Sequence, residues 1–210
     1  MKKTKPMMVM VSNCFGFEAG RLFGRYPDRI AHLHSVDARK QPRADVPWAL
    51  DNGVYGAWKY GRPWSEEPLY NFLDQFAAWK PMWCVVPDWV GDRDKTLRLW
   101  EEHSAAIGAF GVPLAFAVQD GMTVEDVPSE ATVVFVGGTT SWKWRTLHQW
   151  TASFPRVHVG RVNSKNLLSQ AEGAGAESCD GTGWFRAPKR TRELESYLAD
   201  PVHVQTAVSQ

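Results

Sequence analysis

Short runs of apolar or β-branched residues recur along the chain at Met7–Val11, Trp48–Leu50, Trp83–Val86, Leu114–Val118, Val133–Val136, Val157–Val159 and Glu177–Cys179, with an eighth candidate at Ile30–Val36. Between several of them the apolar positions recur at helical spacing instead, over Ser65–Trp79, Arg93–Phe110, Ser141–Phe154, Lys165–Gly173 and Thr191–Leu198. Strands that are apolar on both faces and alternate with helices predict a parallel sheet covered by helices. Ser65, followed by Glu66, Glu67 and Pro68, is a helix start. Gly111, Val112 and Pro113 mark the end of the next helix. The Pro-, Gly- and Trp-rich section 42–64 reads as containing a long loop after the Trp48 strand.

Seven or eight such units predict an α/β fold, a compact (β/α) barrel of the TIM type. Some elements are expected to be missing or irregular, because 210 residues fall short of the roughly 250 typical of that fold. A doubly wound open sheet fits the same alternation. No G-x-G-x-x-G follows the first strand and no P-loop occurs, so the common nucleotide-binding forms of the open sheet lose support. One domain over residues 1–210 is expected, with a single sizeable core.

A net charge of +1 with 44% hydrophobic residues argues against a disordered tail or a wholly basic nucleic-acid coat. Cys14, Cys84 and Cys179 lie far apart without CxxC or CxH spacing, so no disulfide framework, metal site or cofactor is expected and a reducing cytoplasm fits. His32, His34, His103, His148, His158 and His203 show no ligand spacing and read as packing or surface residues. After Lys2, Lys3 and Lys5 the apolar stretch 6–11 is too short for a signal-peptide core. The longest uncharged segment, 104–119, is interrupted by Gly108, Gly111 and Pro113, so no membrane span is expected.

The candidate chemistry lies just past the end of each apolar run. Asn13, Asp51, Asp88 (after Pro87), Gln119, Gly137 with Gly138, Gly160 with Arg161, and Asp180 stand at successive strand ends. Singly, such residues are ordinary turn formers. In a parallel barrel every strand C-terminus opens on one face, so together they would line one site. Paired carboxylates without metal ligands suit chemistry at a sugar carbon, where one attacks or stabilises an oxocarbenium-like centre and the other moves a proton. Among 11 Trp, Trp58, Trp64, Trp89, Trp142, Trp144 and Trp184, together with Tyr55, could stack on bases or sugars. Trp79, Trp83, Trp100 and Trp150 are expected in the core.

From about Trp48 to Arg190 the chain resembles the queuine-type guanine transglycosylases. Asp51-Asn52-Gly53-Val54-Tyr55 is similar to that family's Asp-Ser-Gly-Gly-Phe, and Val118-Gln119-Asp120-Gly121 to its Val-Gln-Gly-Gly. Gly137-Gly138-Thr139-Thr140 corresponds in position to Gly-Gly-Leu-Ala, and His158-Val159-Gly160-Arg161-Val162 resembles His-x-x-Gly-Val-Gly. Gly175-Ala176-Glu177-Ser178-Cys179-Asp180 looks like Gly-Val-Asp-Met-Phe-Asp. The resemblance implies that Asp180 is the nucleophile at C1′ of a guanosine nucleotide and Asp51 the general acid/base. It implies that Asp88 and Gln119 read the guanine-like edge, that the amides of Gly137 and Gly138 bind its exocyclic oxygen, and that Tyr55 and Val159 sandwich the ring. The tRNA-acting relatives carry a Cys-x-Cys-x-x-Cys plus His zinc subdomain that is not found in this sequence. The layout is therefore most similar to the compact branch of phages and bacterial modification islands, which inserts a 7-deazaguanine into DNA. Its implied partners are DNA, or alternatively tRNA, and a free 7-deazaguanine base, in the cytoplasm, the host's if a phage encodes the chain.

Charge points the same way. Residues 141–192 carry nine Lys or Arg (Lys143, Arg145, Arg156, Arg161, Lys165, Arg186, Lys189, Arg190, Arg192) against three acids, whereas residues 1–140 hold 15 basic and 17 acidic residues. Arg161, Lys165, Arg186, Lys189 and Arg190 are expected to form a phosphate-tracking rim. Trp142, Trp184 or Phe185 could fill the gap left by a flipped nucleotide. A minimal tRNA-guanine transglycosylase, a small-molecule nucleoside N-glycosidase or deoxyribosyltransferase, and a non-catalytic nucleic-acid-binding module remain the competing readings.

Overall fold

A computed structural model describes residues 6–12, 14–37 and 40–200. Asn13, the Lys2, Lys3 and Lys5 start, and His203 lie outside these described residues. Eight parallel strands close into a barrel: β1 Met8–Ser12, β2 Ile30–Ser35, β3 Trp48–Asp51, β4 Cys84–Val85, β5 Leu114–Val118, β6 Val133–Val136, β7 Val157–Val159 and β8 Ser178–Gly181. The ring closes where Met10 of β1 pairs with Asp180 of β8. The expected TIM-type barrel is therefore present, with all eight strands, and the open sheet is excluded.

Parity along the strands divides the core in two. Inward positions form one apolar cluster, with Met8, Met10, Ala31, Leu33, Ala49, Trp83, Val85, Ala115, Ala117 and Val133, and with Phe135 packed against it. Eight short strands enclose little volume, and the four alanines leave the room that the fully buried Trp83 indole fills. Outward positions such as Val9, Leu50, Cys84, Phe116, Val136, Val159 and Cys179 meet the helices in the larger cluster.

Among the described residues seven helices surround the barrel: α1 Phe17–Arg25, α2 Val54–Lys59, α3 Glu67–Phe76, α4 Arg93–Gly108, α5 Thr140–Ser153, α6 Lys165–Gly173 and α7 Pro188–Ala199. Five match the sequence expectation in place, although α3 starts after Ser65 and ends at Phe76, where a 3₁₀ turn carries the chain to Trp79. α1 and α2 are additions. α2 replaces much of the expected loop: Gly53, at φ 79°, turns the chain directly from β3 into a six-residue helix. A residue with a side chain is strained there, and a Cβ would sit 2.6 Å from Val36 Cγ2.

The tryptophans depart from expectation in both directions. Trp83, Trp100 and Trp150 are buried as expected, but Trp79 is 43% exposed, whereas Trp142 and Trp184 are 7% and 0% exposed and pack in the outer core. Neither of these two is free to fill the place of a flipped nucleotide. Among the described residues, no helix is long and apolar enough to cross a membrane.

Candidate active site

At the C-terminal end of the barrel the inward positions change from apolar to polar. Ser12 ends β1, Ser35 and Asp51 pair at the ends of β2 and β3, Gln119 follows β5, and Asp180 is the inward residue near the end of β8. Asp88 joins them from the segment after β4.

Asp180 is 6% exposed and held on both oxygens. Its Oδ1 accepts the backbone N–H of Arg161 at 3.1 Å and lies 3.3 Å from Nε2 of the buried His158. Among the described residues its Oδ2 has only the Ser12 hydroxyl, at 3.5 Å, which leaves this oxygen the less encumbered one. His158 is itself fixed by Ser178, whose Oγ is 2.8 Å from Nδ1, and is packed between Phe135 and Trp83 with ring centroids 4.7 and 4.8 Å away.

Asp51 and Asp88 are both half-buried and differently supported. Burial is the main cause that pushes Asp51 up to about 7; the Gly53 amide, donating at 3.2 Å, opposes it, and the charges of Asp180, Asp88 and Asp37 reinforce it. Burial likewise raises Asp88 to about 6, against the hydrogen bond from Asn52 and the nearby Arg161 charge. Asn52 Nδ2 donates to Asp88 Oδ1 at 2.8 Å, and Gln119 Nε2 donates to Oδ2 at 2.7 Å. The ends of β3 and β8 and the segment after β4 bring the three carboxylates to the same end of the barrel, close enough that the charges of Asp180 and Asp88 act on Asp51.

Several expected roles change. Gln119 Oε1 already accepts from Gly91 and Gly138 at 3.0 and 3.1 Å, so Gln119 braces Asp88 and the Gly138 amide. The Gly137 amide donates to the Val118 carbonyl at 3.1 Å. As the molecule stands, both glycine amides are occupied within the protein rather than offered to an exocyclic oxygen. They are needed for close approach: a Cβ on Gly137 would lie 3.1 Å from Gln119 Nε2, and one on Gly138 2.6 Å from Asp120 Oδ2. Val159 is a correction. It occupies an outward position of β7, fully buried against the helices, and cannot face a base in the mouth. The neighbouring inward positions belong to His158 and Gly160, the latter so close to Phe135 that a Cβ would lie 2.8 Å from that ring.

The basic residues separate as well. Arg161 belongs to the mouth rather than an outer rim: its guanidinium donates to the Gly138 carbonyl and lies over the half-buried Tyr55 ring, 5.2 Å from the centroid. Lys165 is turned onto α7, 2.9 Å from Ser196 Oγ and 3.2 Å from Asp200 Oδ2. Arg190 pairs with Glu193 at 2.9 Å. Both are solvent-exposed ion pairs, so each of these two cations shares its charge with a carboxylate of its own chain. Arg186 and Lys189 are exposed and make no ion pair among the described residues.

Sequence reasoning missed Asn52, His158 and Ser12 as parts of the site. For His158 the local signal was weak: one polar residue stands between Val157 and Val159, and it is in the folded barrel that the valines face outward and His158 inward. A hollow of about 690 Å³ between Arg43, Trp48, Trp79 and Lys80 lies where β3 and β4 begin, at the opposite end from the carboxylates. Among the described residues no group of three or more His, Cys, Asp or Glu is placed to hold a metal ion.

No family model matches the chain, and no curated protein matches it. Of the solved structures, one described as native KDPGal superposes with a TM-score of 0.56 at 12% identity, covering 94% of this chain and 95% of that chain. Likeness at that identity concerns the fold, and it agrees with the closed barrel. A (β/α) barrel of the TIM type with convergent polar groups at its C-terminal mouth is compatible with an enzyme.

Proposed function

We propose that the protein is a guanine transglycosylase acting on DNA, exchanging guanine for a 7-deazaguanine base. The observation that carries this reading is the meeting of Asp180, Asp51 and Asp88 at one mouth, with Asp180 Oδ1 held by the Arg161 N–H and Oδ2 carrying the longer contact, to the Ser12 hydroxyl. In the first half-reaction Asp180 Oδ2 bonds to C1′ of a deoxyguanosine while the C1′–N9 bond breaks, and its electron pair leaves with guanine. Protonated Asp51 gives the departing base its proton. In the second half the incoming base surrenders its N9 proton to Asp51 and N9 displaces Asp180 from C1′. A group lifted to about 7 exists in both protonation states near neutrality, as this shuttle requires.

Asp88, braced by Asn52 and Gln119, presents a carboxylate to the N1–H and amino donors of a guanine-like edge. Tyr55 supplies one stacking face once the Arg161 guanidinium swings off it, and the half-buried Phe135 beside Gly160 takes the place first given to Val159. Exchange of radiolabelled guanine into duplex DNA, tRNA and free deoxyguanosine tests the reading; incorporation into DNA alone is expected.

The internal pairing of Lys165 and Arg190 favours a second reading, exchange on free nucleosides, because it thins the phosphate-tracking surface. Arg186 and Lys189 decide between the two. On the DNA reading, replacing both with Ala weakens DNA binding and lowers the slope of log affinity against log salt by about 2, since each phosphate contact contributes roughly 0.9. Unchanged affinity and slope would favour the nucleoside substrate.

A further inference from the structure

Lys143 falls within the basic C-terminal stretch of the sequence, yet it is only 1% exposed. It sits in the first turn of α5 and sends its ammonium to the Gly160 carbonyl. No carboxylate forms an ion pair with it among the described residues. A buried cation without such a partner is costly to keep, so its position calls for a use.

The Gly160 carbonyl and the Arg161 N–H are the two ends of one peptide group, and the Arg161 N–H is the donor that holds Asp180 Oδ1 at 3.1 Å. We infer that Lys143 is a positioning residue for Asp180, acting through the Gly160–Arg161 peptide. The ammonium fixes the carbonyl end and draws negative charge toward it, and the opposite end, now a stronger donor, is aimed at the carboxylate. Alignment of hydrogen bonds in series strengthens each of them in a low-dielectric interior. Arg161 adopts φ 62°, a conformation that costs a non-glycine residue energy and persists only where surroundings impose it. Lys143 at one end of the peptide and Asp180 at the other are such surroundings. A plain structural lysine would not need its carbonyl partner to be the peptide that feeds the proposed nucleophile.

The charged and titratable groups that face the ammonium are Arg161 from the turn after β7 and Asp180 and Cys179 from β8, with the Trp144 ring 5.7 Å away on its own helix. Burial, reinforced by the Arg161 charge, lowers Lys143 to about 8, whereas Asp180 and Cys179 act to raise it. The relay is therefore charged below about pH 8 and is lost above it.

The inference rests on Asp180 being the nucleophile, and its test keeps the two apart. In ¹H–¹⁵N spectra of the intact chain, the Arg161 amide proton should move with an inflection near pH 8. That inflection should be missing in Lys143→Met, which keeps the length of the side chain and removes the charge. Separately, Lys143→Met should lower kcat for base exchange roughly 10- to 100-fold, the range seen for supporting partners of a reacting group, with KM for DNA little changed. Lys143→Arg, which restores the charge, should recover activity. If the wild type shows no base exchange but the Arg161 inflection is present and depends on Lys143, the relay stands and the transglycosylase reading fails. An Arg161 amide without an inflection near pH 8, or a folded Lys143→Met with unchanged kcat, overturns the inference.

Discussion

Asp180→Asn should abolish base exchange, lowering kcat by roughly 10⁴-fold or more, because an amide cannot form the glycosyl ester on which both half-reactions depend. The substitution preserves shape, and Asn can still accept the Arg161 N–H and face His158 and Ser12. Folding and DNA affinity should therefore stay close to wild type, which isolates chemistry from binding. Single-turnover kinetics beside a DNA-binding titration provide the check. Retained exchange would transfer the nucleophilic role to Asp51 or Asp88, the other two carboxylates of the mouth.

The second large effect is at Asp51 and has a pH signature. Its carboxyl titrates near 7 in the folded protein, above the ordinary aspartate value of 3.8. Adduct formation, which uses the protonated form, should be fastest below pH 7 and decline above it. Discharge of the adduct by an incoming base uses the ionised form and should rise through the same range. Asp51→Asn should slow both steps by roughly 10²–10⁴-fold and remove both inflections. Stability should move in the opposite direction. A folded-state value raised above the unfolded one means that the folded protein holds this proton more tightly, so the contribution is fully present below about pH 4 and lost as pH rises through 7. At pH 8 Asp51→Asn removes a poorly solvated, half-buried charge and should gain on the order of 1 kcal/mol, about 2–4 °C in Tm for a chain of this length. At pH 4 the two melting curves should coincide. A variant less stable than wild type at pH 8 would mean that the Asp51 charge is better compensated than its burial implies.

Strand ends were legible because apolar runs stop abruptly at polar residues, and that alone brought Asp51, Asp88, Gln119 and Asp180 to one mouth. Parity was harder to read. The sequence Val157-His158-Val159 has two apolar residues around one polar one, and only the register of β7 against β6 and β8 turns the valines outward and His158 toward Asp180. α1 escaped notice because its nine residues bury only Ala19, Leu22 and Phe23 and hold Gly20 and Gly24, while Phe17 is 84% exposed. The cations were the least legible. Nothing local distinguishes Lys143 from Lys189, yet the first is buried at a peptide carbonyl and the second is exposed on the opening turn of α7. Partners distant in sequence, such as Asp200 for Lys165, decide which charges remain for a polyanion.

The central claim is covalent catalysis by Asp180, and mass spectrometry of the trapped intermediate tests it most directly. Wild-type protein incubated with guanine-containing DNA, without added free base, quenched and digested with nuclease and protease, should yield one peptide carrying a deoxyribosyl-derived mass on Asp180, absent when excess guanine is supplied. An adduct mapped to another residue, or base exchange proceeding with no adduct on any carboxylate, would contradict the account.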